Sequence, residues 1–255
     1  MSKPELLLIH GAWVNGQCWN PILTQLRAAG YQCTAPNWPH KQQANDPALA
    51  SIGIAEILEH YKKIIGQYTT PPVLIGHSFG GLFTQLLLNQ GYGSAGIVLN
   101  SAPTKELLPL YLSVWQTNLP VVRQFLFSGL MHLTAKQFGY SFAHLSTPAE
   151  QQQIYDTYVM HETPRIFRQA LTAPFHHLTK VDYAQPAKPL LFLAGGADLL
   201  CPAKQNQINA AHYNSPLVTC QVLPNHNHGM LFQEGNVVVA QHMVDWLKRL
   251  NSSLS

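Results

Sequence analysis

Short runs of consecutive apolar residues alternate along the chain with longer stretches in which apolar positions return at helical spacing. The short runs are Glu5–His10, Gln32–Ala35, Val73–Gly76, Gly96–Asn100, Pro189–Ala194 and Val218–Leu223. Unbroken apolarity, in place of strict alternation, marks strands buried on both faces, the usual condition of a parallel sheet. Between them the spacing predicts helices over Asn20–Ala29, Ala48–Gly66, Gly81–Asn89, Ala203–Ala211 and Val237–Leu250. This rhythm of strand, helix and strand predicts an α/β fold: a doubly wound sheet of about six mostly parallel strands with helices on both faces.

The rhythm fails between about residues 101 and 185, where Leu107–Trp115, Val121–Leu133 and Gln151–Arg168 read as helices rich in Leu, Phe, Tyr and Met, punctuated by Pro148, Pro164 and Pro174. An insertion after the fourth strand can cover the carboxyl ends of the strands without interrupting the sheet. The chain is therefore expected to form a single domain over residues 1–255, with a core of 1–100 and 186–255 and a helical lid over about 101–185.

The charge pattern narrows the function classes. Charged residues are 11% of the 255, the formal net charge is +3, and no basic run exceeds Lys62-Lys63, which argues against a nucleic-acid partner. The N-terminal segment enters a strand-like run that Gly11 ends well short of a signal sequence or membrane span. Cys18, Cys33, Cys201 and Cys220 are scattered with no CxxC spacing, so reduced thiols in the cytoplasm are expected in place of a disulfide frame. The 13 histidines show no metal-finger spacing, and scattered histidines are more often surface or hydrogen-bonded residues than ligands.

The candidate chemistry lies at Gly76-His77-Ser78-Phe79-Gly80, between the run Val73–Ile75 and a helical stretch. A serine flanked by small residues on a sharp strand-to-helix turn is a nucleophile elbow, which lifts the hydroxyl above the sheet edge and points a helix N-terminus at it. A serine hydroxyl needs a histidine to take its proton and a carboxylate to orient that histidine. Of Glu106, Glu150, Asp156, Glu162, Asp182 and Asp198, only Asp198 directly follows a strand-like run and its turn. Asp198 is the assigned acid, with Glu106, just beyond the fourth strand, in reserve. The last strand opens into Pro224-Asn225-His226-Asn227-His228-Gly229-Met230-Leu231. His228, followed by a Gly and an apolar turn that would fix the ring, is the assigned base. His226, with Asn on both sides, reads as solvated.

A developing oxyanion needs preorganised N–H donors, each contributing on the order of 3 kcal/mol to the barrier. The Phe79 amide, at the start of the elbow helix, is one. The turn His10-Gly11-Ala12-Trp13 after the first strand offers the second at Ala12, with Gly11 allowing close approach.

Through His10–Trp13, Gly76–Gly81, Gly196-Ala197-Asp198 and His228–Leu231, the chain resembles the α/β-hydrolase superfamily over nearly its whole length. Within it, the absence of an extra N-terminal hairpin makes it similar to the compact esterase group of plant methylesterases and hydroxynitrile lyases. Such lyases carry a threonine after the strand-end histidine and a lysine beside the catalytic histidine, where this chain has Gly11 and Gly229, so cyanohydrin cleavage is disfavoured. Dehalogenases and epoxide hydrolases place an aspartate at the elbow, and Ser78 argues against both.

The resulting expectation is a carboxylesterase-like serine hydrolase: His228 deprotonates Ser78, Ser78 attacks an ester carbonyl, and Asp198 orients the imidazole. His228 then protonates the leaving alcohol and activates water, a scheme that requires no metal or organic cofactor. The partners are a small-molecule ester or lactone, small to medium and apolar, and water. Trp13, Phe125, Met131, Phe138 and Met160, with Phe127 and Tyr140, are the candidate pocket wall, although such residues at helical spacing are often packing. Two alternatives stand beside this reading: a ligand-binding receptor or scaffold with little turnover, and a cofactor-free lyase or carbon–carbon hydrolase using the same three residues.

Overall fold

The computed structural model describes residues 3–107, 124 and 129–253. Six strands, β1 (Leu6–Ile9), β2 (Cys33–Thr34), β3 (Val73–His77), β4 (Ala95–Leu99), β5 (Leu190–Gly195) and β6 (Val218–Leu223), form one all-parallel sheet in the order β2-β1-β3-β4-β5-β6. The chain winds outward from β1 to β2, returns to β3 on the other side of β1, and then proceeds to β6. The reversal puts the topological switch between β1 and β3, where the carboxyl ends of the strands leave a crevice. Register sets Ile9 beside Gly76 and His77 beside Leu99, so the segments after β1, β3 and β4 leave the sheet together.

The four central strands β1, β3, β4 and β5 are buried at every position because both faces are covered, whereas the edge strands β2 and β6 are only partly buried. Leu7, Ile9, Leu74, Val98, Leu190 and Phe192 face one layer, where they pack with α2 (Ile54–Ile65) and α3 (Phe79–Asn89). Leu6, Leu8, Val73, Ile75, Ile97, Leu99, Leu191 and Leu193 face the other, against α1 (Asn20–Ala28) and α8 (Asn236–Ser253). Each fully buried Leu, Ile or Phe stabilises the fold by roughly 1.5–3 kcal/mol relative to exposure. Neighbouring residues on one strand therefore belong to different layers, as the two-residue repeat of a strand requires.

Between β4 and β5 lie α4 (Ala135–Phe142), α5 (Pro148–Tyr158) and α6 (Pro164–Leu171); α7 (Ala203–His212) follows β5. Several expected boundaries change. The stretch 48–66 is a 3₁₀ turn at Pro47–Ser51 followed by α2, because Ile52 and Gly53 are extended and Glu56 accepts the Gly53 N–H at 3.1 Å as a new helix start. The helix expected over 151–168 divides into α5 and α6. Val159 is extended, Glu162 pairs with Met131 in an antiparallel bridge, and Pro164 opens a fresh helix. That bridge also removes Leu130–Leu133 from the expected Val121–Leu133 helix. Helix α4 was not expected, although its capping box is in the sequence: Gln137 accepts the Thr134 N–H at 2.8 Å and donates its own N–H to Thr134 Oγ1 at 3.3 Å. The expected Leu107–Trp115 helix falls, after its first residue, outside the described residues, as do Phe125 and Phe127. Among the described residues no helix is long and apolar enough to cross a membrane.

Candidate active site

Ser78 leaves β3 with φ 56° and ψ −120°, a left-handed conformation that a non-glycine residue adopts at a cost on the order of 1–3 kcal/mol. The surroundings enforce it. The Ser78 N–H donates to Leu99 O at 3.0 Å, and its carbonyl accepts from Gly81, Leu82 and Ala102. A Cβ on Gly80 would stand 2.1 Å from Ile9 O, and one on Gly76 2.0 Å from Gly80 O, so α3 packs against β1 and back on β3 only with both side chains absent.

Asp198 sits just past β5 and His228 in the loop after β6, and the fold brings them together. His228 Nδ1 donates to Asp198 Oδ2 at 2.8 Å. Asp198 Oδ1 accepts the amides of Leu200 at 2.8 Å and Cys201 at 2.9 Å, so the carboxylate is held by three donors. Asp198 and His228 are 5% and 1% exposed. With Nδ1 bound as a donor, a neutral imidazole carries its lone pair on Nε2. That atom is buried with no hydrogen-bond partner, and Ser78 Oγ likewise makes none among the described residues. Glu106 is exposed and leaves the contact with His228 to Asp198. His226 is buried, not solvated, and its carbonyl accepts the Ala197 N–H at 3.0 Å. The two flanking asparagines mislead because His226 braces the turn before Asp198.

The ring of His228 is fixed from several sides. Phe142 meets it edge-on at 4.8 Å and His77 lies 4.9 Å away. Its backbone carbonyl accepts from His77 Nε2 at 2.8 Å and from Asn100 Nδ2 at 3.3 Å. Asn100, at the end of β4, also donates to Asn227 O and accepts the Gly195 N–H at 2.6 Å, tying the β5 turn to the histidine loop. Burial, and then the neighbouring His228, lower the His77 pKa to about 3, so His77 is a neutral Nε2–H donor.

The Ala12 and Phe79 amides each lack a hydrogen-bond partner among the described residues. A Cβ on Gly11 would stand 2.8 Å from Ser78 Cβ, so the loop after β1 lies directly against the elbow. Trp13 takes φ 68°. Its N–H donates to Glu162 Oε2 at 2.8 Å and its carbonyl accepts the Met160 N–H at 2.7 Å. Glu162 is fully buried and pairs with buried Lys41 at 2.6 Å, while Lys41 also donates to Val14 O at 3.1 Å. Burial lowers the Lys41 pKa and Glu162 opposes that shift. His10 donates through Nδ1 to Gly11 O and accepts the Trp38 N–H at Nε2; burial holds its pKa well below the ordinary histidine value.

Of the candidate pocket residues, Trp13 packs beside Phe167, which also meets Phe79 edge-on. Met131 and Phe138 are fully buried, with Phe138 stacked on Phe142; Met160 is half-buried and Tyr140 is half exposed. One group of metal-ligand types stands out among the described residues: Asp198, Cys201 and His228 have ligand atoms within 4.8 Å of one another. Burial, and then Asp198, push the Cys201 thiol well above its ordinary pKa, favouring the protonated form that ligates metals poorly.

Residues 6–241 match the family model described as the alpha/beta hydrolase family, and the chain belongs to that family. A pyrethroid hydrolase of Sphingobium wenxiniae is 29% identical over 85 residues, a segment that is 32% of this chain and 29% of that protein. The match therefore spans less than a third of that relative. A pyrethroid hydrolase from Sphingobium faniae JZ-2 superposes with a TM-score of 0.65 at 17% identity, covering 96% of this chain and 97% of the other. Polyneuridine aldehyde esterase superposes at 0.68 and 12% identity over 95% and 98%. At these identities the likeness is one of fold.

Proposed function

We propose that the chain is a serine hydrolase that cleaves a small to medium apolar ester or lactone through an acyl-enzyme on Ser78. The observation that carries this reading is the buried Asp198–His228 contact of 2.8 Å, which leaves the opposite ring nitrogen unpartnered while the ring packs on His77, the neighbour of Ser78. Catalytic hydrogen bonds are often long in an unliganded site and tighten in the Michaelis complex. His228 Nε2 takes the Ser78 proton as Oγ bonds to the acyl carbon, and the carbonyl electrons collect on oxygen between the Ala12 and Phe79 amides. The C–O bond to the alcohol then breaks as His228 returns the proton to it. Water, deprotonated by the same nitrogen, repeats the addition and releases the acid.

Helices α4–α6 serve in this reading as a lid, with Phe142 excluding water from the imidazole. The names of the pyrethroid hydrolase and polyneuridine aldehyde esterase relatives support ester chemistry, and the free state of all four cysteines supports a reducing, cytoplasmic setting. A panel of p-nitrophenyl esters tests the reaction. Short acyl chains are hydrolysed by the native protein, and kcat falls by about 10³ or more in Ser78→Ala and in His228→Ala. Absence of turnover by native protein would favour a binding module, and turnover that survives Ser78→Ala would remove the nucleophile.

A further inference from the structure

The buried pair Lys41–Glu162 plays no part in the proposed reaction, yet Glu162 accepts the N–H of Trp13, the residue after the proposed oxyanion donor Ala12. Glu162 enters from the insertion between β4 and β5, where its backbone is paired with Met131 through N–H···O bonds of 2.8 and 2.9 Å. Its side chain receives three donors: Trp13 N–H and Lys41 Nζ at Oε2, and the Thr163 N–H at Oε1 at 2.8 Å. Lys41 then reaches the next carbonyl of the same loop, Val14 O. The loop after β1 is therefore gripped at Trp13 N, Trp13 O and Val14 O, at the residue whose backbone is left-handed.

We infer that Glu162 and Lys41 are positioning residues for the oxyanion site, holding Trp13 in its strained conformation so that the Ala12 N–H stays unpaired and aimed at the oxygen of the reacting carbonyl. The inference rests on the assignment of Ala12 to that role. A carboxylate suits the task because it accepts at both oxygens, whereas an amide would present an N–H to one of the three donors. The arrangement also couples the insertion to the chemistry, since Glu162 is correctly placed only when its strand-like segment is paired with Met131. A displacement of about 1 Å at a catalytic group costs on the order of a hundredfold in rate.

The test uses p-nitrophenyl butyrate together with an aryl trifluoromethyl ketone, whose hemiketal with Ser78 places an oxyanion between the same amides. Two variants are compared with native protein: Glu162→Gln, and the double variant Lys41→Met/Glu162→Met. The double variant removes both buried charges at once, so neither is left unpaired. It also frees the Trp13 and Thr163 N–H groups and Val14 O, and only preparations with native circular dichroism are compared. Both variants are expected to lose roughly tenfold to a hundredfold in kcat, with KM within about twofold of native. The ketone Ki should rise by the same factor as kcat/KM falls. A double variant that keeps the native kcat and the native Ki overturns the inference and leaves the pair a purely structural one. So does a kcat loss with unchanged Ki. Fluorophosphonate titration of Ser78 in native protein separates the two levels, because failure to label there removes the assignment of the nucleophile and this inference with it.

Discussion

His77 Nε2 donates to the backbone carbonyl of His228 at 2.8 Å, so the residue before the elbow serine fixes the loop that carries the proposed base. The bond demands a neutral His77 with its proton on Nε2, and burial supplies that state by lowering the pKa to about 3. An unfolded chain binds a proton near the ordinary value of about 6.5, one that the folded site refuses. The folded state is therefore favoured fully above that value and loses stability as pH falls toward 3, by up to several kcal/mol at about 1.4 kcal/mol per unit.

Chemical denaturation at pH 7, 5 and 4 checks this. The unfolding free energy should fall steadily with pH in native protein, and His77→Asn should flatten the slope. Buried His10, shifted in the same direction, keeps part of the slope in that variant. An unchanged slope would show that His77 is not the group refusing the proton.

Asp198→Asn should preserve the fold and remove the catalysis. The amide keeps an acceptor for the Leu200 and Cys201 N–H groups that now reach Oδ1, but it turns an N–H toward His228 Nδ1. The imidazole then carries its proton on Nε2 and cannot act as a base. A loss in kcat of about 10³–10⁴, with unchanged circular dichroism, is the expected result.

Asn100→Ala should damage stability and rate together. It leaves the Gly195 N–H without its acceptor and releases the carbonyls of Asn227 and His228. Unsatisfied buried groups cost about 1–3 kcal/mol each, so the unfolding free energy should drop by roughly 2–4 kcal/mol. With the His228 carbonyl held by His77 alone, kcat should fall about tenfold while KM changes little. Thermal denaturation and ester kinetics on one preparation measure both.

The sheet could be read from the chain because its central parallel strands, buried on both faces, write themselves as apolar runs. The half-exposed edge strands β2 and β6 are more mixed in composition, and all six were located to within a few residues of their ends. The Asp198–His228 contact could be anticipated because Asp198 follows β5 and its turn and His228 lies in the loop after β6. The insertion was harder, since its elements are set by tertiary pairing: the Met131–Glu162 bridge joins segments that each look helical in isolation. Glu162 was passed over as a carboxylate because no strand precedes it, and Lys41 sits in a loop with no periodicity at all. Their pairing spans 121 positions, and local pattern carries no trace of it. The Thr134–Gln137 capping box, by contrast, was visible and marks the start of α4.

The central claim is that Ser78 is the nucleophile, and intact-protein mass spectrometry after exposure to a fluorophosphonate measures it most directly. Native protein should gain one adduct mapping to the peptide that contains Ser78, Ser78→Ala should gain none, and His228→Ala should react far more slowly. An adduct that persists in Ser78→Ala, or native protein that stays unmodified under conditions that label a known serine esterase, would contradict the account.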